Sequence, residues 1–188
     1  PAGATKYRLH NDRYGSAKTT VTPGCGGTMH WGGTGVNAGM QATVVAASAA
    51  STVAVISFGT INPGANLDNA GSTPAGMLAG FNPGNAGLFN ASVAGDVLIG
   101  GSGNITVAAG DGDRGYNYVV GNIEIDSAAN ITALGASTST GRKPPYGIGA
   151  VNYGSGDVVI TTSSASVIHA GGSGVDVSNQ ATSIATGA

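Results

Sequence analysis

Residues 95–110 read GDVLIGGSGNITVAAG, and residues 121–135 read GNIEIDSAANITALG. Set one above the other, both open on Gly followed by Asp or Asn, run through Val, Leu or Ile, and meet again at Asn-Ile-Thr. A third copy is split into GDVVITT at 156–162 and SVIHAGG at 166–172. In all three, an aliphatic residue alternates with Thr, Ser, Glu or a small residue, the period-two signature of a strand with one buried face. A repeat of this kind has to be recognised before secondary structure is assigned. Each unit is too small to bury its own apolar face, and only a stack of units makes a core.

Further out, GLFN (87–90), RGYN (114–117), GAVN (149–152) and VDVSN (175–179) each end a small or apolar stretch on asparagine. Asn90, Asn117, Asn152 and Asn179 are spaced by 27, 35 and 27 residues, and the longer interval holds STSTGRKPP, whose Arg142-Lys143-Pro144-Pro145 reads as a loop. One repeat is then three short strands in about 27 residues, which predicts an all-β parallel β-helix. The asparagines admit two readings. Stacked in one file, their amides would bond from turn to turn and satisfy the backbone of the bend, or each simply tolerates a positive φ. Helical repeats are excluded, because no window carries an i, i+3, i+4, i+7 apolar stripe and glycine recurs too often to propagate a helix.

Composition sets the outer limits. Gly, Pro and Ser make up nearly a third of the 188 residues, a range where low-complexity chains are common. Disorder also needs few apolar groups and a strong charge imbalance, whereas here 41% of residues are hydrophobic and the formal net charge is −2. A core is therefore within reach for a chain of this length. Only 9% of residues are charged, so the surface must be solvated through hydroxyls and amides. Such a surface attracts phosphates weakly. Lys6, Arg8, Arg13 and Lys18 fall in the first twenty positions, but His10, Asp12 and Tyr14 interrupt them and no basic stripe forms, which argues against a nucleic-acid partner.

The first half is less regular. Residues 49–61, AASTVAVISFGTI, and the two Asn-Pro-Gly turns at Asn62 and Asn82 read as an earlier, degenerate repeat. Residues 1–45 match no repeat and are assigned to an N-terminal cap or arm, leaving 46–188 as the repeating unit. Ala42 to Phe58 is apolar enough to raise a membrane-span question, but its Ala, Ser, Thr and β-branched content with no flanking cations favours two strands, and no membrane insertion is expected. The N-terminus lacks the pattern of a secretory signal, and the single Cys25 has no internal partner, a scarcity compatible with export through a bacterial envelope.

Three segments, AAGDGDRGYNYVVGNIEID (108–126), PPYGIGAVNYGSGDVVITT (144–162) and GGSGVDVSNQATSI (171–184), resemble repeat units in the passenger regions of bacterial autotransporters, above all the large Gly/Ala-rich ones of alpha-proteobacteria. The likeness covers about residues 85–188. It implies a right-handed parallel β-helix carried to the cell surface by a membrane barrel, and a role in adhesion, aggregation or as a stalk, with surface glycans or proteins as partners. The chain departs from that family in having no terminal run of ten-residue alternating strands, so the resemblance implies a passenger fragment, and it carries over no catalytic residue.

The sequence offers little chemistry beside this. No Gly-x-Ser-x-Gly elbow occurs, so His10, His30 and His169 have no signature nucleophile to serve. A carbohydrate-active β-helix, hydrolase or lyase, would gather acids on one strand face, and the candidates are Asp96, Asp111, Asp113 and Asp157. Because Asp96, Asn122 and Asp157 all follow Gly at equivalent repeat positions, a bend cap accepting backbone amides explains that column better. Aromatic platforms for sugars are limited to Tyr7, Tyr14 and the His30-Trp31 pair. A calcium-stiffened module would draw on Asp111 and Asp113 of DGDRG or on Asp176 of GGSGVD. The first lacks the later bidentate acid and the second has no stacked second copy, so no cofactor is expected. Asn90, Asn104 and Asn130 satisfy the glycosylation sequon by chance in an Asn/Thr-rich repeat, and Thr161-Thr162 does not recur as an ice-binding file would require.

Overall fold

The alternating runs become strands, and every pairing among the described residues is parallel. The structure, a computed structural model, describes residues 19–21, 28–30, 38–45, 51–62, 75–82, 89–108, 110–135 and 145–180, with backbone alone for 19–45, Ser51 and Asn82. It contains β1 (Thr19–Val21), β2 (Thr28–His30), β3 (Ala38–Val45), β4 (Ser51–Ser57), β5 (Thr60–Asn62), β6 (Ala75–Asn82) and β7 (Asn90–Val107). These are followed by β8 (Asp111–Asn117), β9 (Val119–Val120), β10 (Ile123–Ala133), β11 (Ile148–Asn152), β12 (Val158–Thr162), β13 (Ile168–Ala170) and β14 (Val175–Asn179). No helix occurs among the described residues, and the protein is all-β with parallel sheets.

The chain alternates between two sheets. One has the order β1-β4-β7-β10-β12, with β2, β5, β9 and β13 joined alongside, and the other has the order β14-β11-β8-β6-β3. Neighbours in space are thus strands one repeat apart in sequence. Val97, Ile99 and Ile105 of β7 lie against Ile123, Ile125 and Ile131 of β10, a displacement of 26 residues. Between β10 and β12 it is 35, because the segment containing Arg142 to Pro145 intervenes. The 49–61 stretch becomes β4 and β5, and both lie in register on β7. Strands β1, β2 and β3, within the residues assigned to the cap, pair with β4, β5 and β6 in these same sheets.

Three short strands per repeat describe only part of what forms. GDVLIGG and NITV run on as one strand in β7, as do their counterparts in β10, whereas the 49–61 stretch divides into β4 and β5 and the last copy into β12 and β13. The bend within β7 passes through Gly101 (φ 125) and Gly103 (φ 116). A Cβ on Gly101 would overlap the Ser57 carbonyl oxygen of the strand beneath, so close backbone approach as well as positive φ requires glycine there.

The core lies between the sheets and is built of files. Val53, Val97 and Ile123 stack through β4, β7 and β10, followed by Val55, Ile99 and Ile125, and by Ile61, Ile105 and Ile131, all at most 2% exposed. Removing such side chains from water contributes about 1.5–3 kcal/mol each. The facing strands answer with small residues: Ala79, Gly115 and Ala150 form one file, and a Cβ on Gly115 would lie 2.9 Å from Ile123 Cγ2. Large side chains from one sheet thereby fill the space that the other leaves.

Candidate functional site

Three of the four marked asparagines share a file. Asn117, Asn152 and Asn179 end β8, β11 and β14 in register, and the first two are fully buried. Their amides do not bond to one another. Asn117 Nδ2 donates to the carbonyl oxygens of Gly95 (3.0 Å) and Gly121 (3.2 Å), while its Oδ1 accepts from Val119 N at 3.0 Å. Asn152 Nδ2 donates to the same Gly121 oxygen at 3.1 Å and its Oδ1 accepts from Gly154 N at 2.9 Å. Asn179 Nδ2 donates to Gly156 O at 2.9 Å. Asn117 and Asn152 each close their own bend, and all three side chains donate to a glycine carbonyl, so the file is joined through backbone. It satisfies buried polar groups that would otherwise cost about 1–3 kcal/mol apiece.

Asn90 stands apart from this file, a correction to the sequence reading. The residue paired with Asn117 is Phe81 of β6, and Asn90 opens β7, where its N donates to Tyr118 O at 2.8 Å and its Oδ1 accepts from Ser92 N at 3.0 Å. The Phe-Asn pair at 89–90 mimics the repeat's local pattern, but register follows the packing of β6 on β8, which the spacing of asparagines does not encode.

A second file, on the outer surface, uses side-chain oxygens on backbone amides. Asp96 Oδ1 accepts from Asn122 N at 2.8 Å, and Asn122 Oδ1 accepts from Asp157 N at 2.9 Å. Asp96 and Asp157 are both exposed and lie two strands apart, about 9–10 Å between backbones. A third file lies where Asn-Ile-Thr recurs. Asn130 Nδ2 donates to Asn104 Oδ1 at 3.4 Å, and Val167 N donates to Asn130 Oδ1 at 3.0 Å. Both are sequon asparagines, and both lie within strands, Asn104 in β7 and Asn130 in β10.

Asp111 and Asp113 lie on the opposite sheet and do not converge with Asp96 and Asp157. Asp111 is 2% exposed, its Oδ2 accepts from Arg114 Nη1 at 2.8 Å, and its Oδ1 accepts from Tyr146 N at 2.9 Å. Burial pushes its carboxyl above the usual range, while Arg114 and the Tyr146 amide act in the other direction. Asp113 faces the core, fully buried, between Met77 and Ile148 in its file. Burial pushes its pKa up to about 7, and the facing Ser127 hydroxyl opposes the shift. Neither Asp113 oxygen nor Ser127 Oγ has a partner in good hydrogen-bond geometry. Such an acid stays protonated in the folded chain well above the usual carboxylate range.

Asp176 stands two strands from Arg114 in the file Arg114, Gly149, Asp176, and its charge adds to the upward shift at Asp111. Among the described residues no group of three or more His, Cys, Asp or Glu side chains is placed to hold a metal ion. His169 is exposed on β13. Tyr7, His10, Tyr14 and Trp31 lie outside the described residues, and His30 is described by its backbone alone. No helix among the described residues is long and apolar enough to cross a membrane, and Ala42 to Phe58 falls partly in β3 and β4. Tyr118 stacks on Tyr153 with ring centroids 4.2 Å apart and meets Tyr116 edge-on at 6.3 Å, an aromatic cluster that single positions in the sequence do not reveal.

Compared with protein-family models, curated proteins and solved structures, the chain matches none of them.

Proposed function

We propose that the chain is a right-handed parallel β-helix and part of an exported, autotransporter-like passenger that serves as a structural, adhesive scaffold at the bacterial cell surface. The observation that carries this reading is the alternation of the chain between two parallel sheets, with equivalent residues filed one above the other from β4 to β12 and from β6 to β14. A stack of this kind grows by adding layers, and its stability is a sum of repeat and neighbour terms, which suits a stalk. The resemblance of residues 85–188 to passenger repeats supplies the cellular role. The buried asparagines and capping aspartates hold bends together, and a scaffold requires nothing more of them.

The test is display. Placed between an export signal and an outer-membrane barrel, the chain is expected to reach the cell surface, become accessible to added protease, and increase adhesion of the cells to glycan- or protein-coated plates. Cells that display it and adhere no better than cells carrying the barrel alone would remove the adhesive part of the proposal.

A second reading, a carbohydrate-active β-helix, draws on the exposed Asp96 and Asp157 in one file. Their separation is near the range that inverting glycosidases use, but one oxygen of Asp96 is held by a backbone amide. Turnover of a polysaccharide that disappeared in Asp157→Asn would establish that reading over the scaffold. A melting temperature raised by calcium and lowered by chelator would instead support a calcium-stiffened module.

A further inference from the structure

The outer face of the larger sheet carries a depression of about 370 Å³ lined by Ile56, Phe58, Leu98, Gly100, Glu124 and Asp126. Register explains its shape. Ile56, Gly100 and Asp126 form one file across β4, β7 and β10, and Ala54, Leu98 and Glu124 form the next. Gly100 has no side chain to fill the middle of its file, so the floor drops there, walled by Ile56, Leu98 and Phe58 with two carboxylates along the β10 side. Phe58, which follows β4, is 48% exposed, whereas Ser57 before it is buried. Glu124 and Asp126 are both exposed, and among the described residues no hydrogen bond or ion pair engages either of them.

Charge decides what fits. Seven carboxylates lie among the described residues (Asp96, Asp111, Asp113, Glu124, Asp126, Asp157 and Asp176) against a single Lys or Arg, and that one, Arg114, is committed to Asp111. Nothing cationic among them answers Glu124 and Asp126. A ligand complementary to this lining is apolar where it crosses Gly100 and positively charged where it reaches β10. Arginine has both parts on one side chain: an aliphatic stem that packs on Ile56 and Leu98, and a planar guanidinium that pairs with carboxylates and stacks on an aromatic face such as Phe58.

We propose that this depression is a docking point for an arginine side chain presented by a loop of a partner protein. The surface is independent of the export reading, because it needs only the register of β4, β7 and β10. Lysine fits less well, since an ammonium group cannot pair in a forked fashion or lie flat on Phe58.

The test is an amide-detected NMR titration of the full chain with N-acetyl-arginine amide, with the lysine and citrulline analogues as probes of charge and shape. Arginine amide is expected to shift Gly100, Gly101, Ser102, Glu124 and Asp126, lysine amide to shift them less, and neutral citrulline not at all. Glu124→Gln with Asp126→Asn is expected to weaken binding about tenfold or more, equivalent to about 1.4 kcal/mol. Gly100→Ala provides an independent variant. A Cβ there would meet Asp126 O at 3.3 Å, a tight contact that asks the neighbouring strand to give by a few tenths of an ångström, while the floor is raised and arginine is displaced. Equal shifts with citrulline, or shifts centred on Asp96 and Asp157, or unchanged binding in both variants, would overturn the proposal.

Discussion

Asp113 makes the sharpest demand on the structure. Its carboxyl is fully buried between Met77 and Ile148, and the groups facing it from the other sheet are Ser127 and aliphatic side chains, with no cation among them. The charged residues of β7 and β10, Asp96, Glu124 and Asp126, are exposed on the opposite face. Its pKa rises from 3.8 to about 7. At low pH the group is protonated in both folded and unfolded chains and costs nothing. As pH climbs above the ordinary value, the unfolded chain releases its proton while the folded chain keeps it, so stability falls steadily. The decline ends once the folded state also ionises, near pH 7. At about 1.4 kcal/mol for each pH unit, the ceiling on the loss is about 4 kcal/mol, a large part of a typical net stability of about 5–15 kcal/mol.

The assay is urea unfolding followed by circular dichroism across the range from about pH 4 to about pH 8. With a slope of about 2 kcal/mol per molar, the midpoint is expected to fall by up to about 2 M. Asp113→Asn keeps the shape and cannot ionise, so its profile should be flatter and its stability near pH 8 above that of the parent chain. Asp111 is raised as well, with the same sign, and contributes to the slope left in Asp113→Asn. A flat parental profile, together with an Asp113→Asn variant that is less stable near pH 8, would show a carboxylate that is ionised and partnered, and the argument from burial would fail.

Three further outcomes follow from the files. Asn152→Ala removes the bonds that a fully buried side chain makes to Gly121 O and Gly154 N and is expected to cost about 2–4 kcal/mol in the same urea assay, more than Asn179→Ala at its exposed counterpart. Gly101→Ala places a methyl group on the Ser57 carbonyl at a positive φ and should lower the melting temperature sharply, whereas Gly100→Ala, one residue away, should lower it far less. Ile125→Ala, in the middle of a core file, should cost about 2–5 kcal/mol, while Glu124→Ala beside it on the outer face should fall within about 0.5 kcal/mol of the parent.

These contrasts also mark how far the sequence reaches. The alternation in GDVLI and GNIEI assigns Val97, Ile99, Ile123 and Ile125 to the inside and Glu124 to the outside, and the structure agrees at each position. The bend-cap reading of Asp96, Asn122 and Asp157 was also available, because a short polar side chain recurring after Gly at a strand start has few other tasks. The DGDRGYN segment resisted the same treatment. Its inward positions are Asp113, Gly115 and Asn117, none of them apolar, so no hydrophobic alternation announces a buried strand.

What the sequence determined by itself is the set of local properties: which stretches extend, which side of each is apolar, and that the pattern recurs. These depend on residues within one strand of each other, and a period of two is visible in a handful of letters. Only the tertiary structure decided which residues become neighbours across strands. It placed Phe81 where an asparagine was expected and left Asn90 outside the file; it enclosed Asp113 beneath the isoleucines of the facing sheet and set Gly100 between Ile56 and Asp126. Register is fixed by packing summed over whole sheets, through insertions of unequal length, and no single repeat contains that sum.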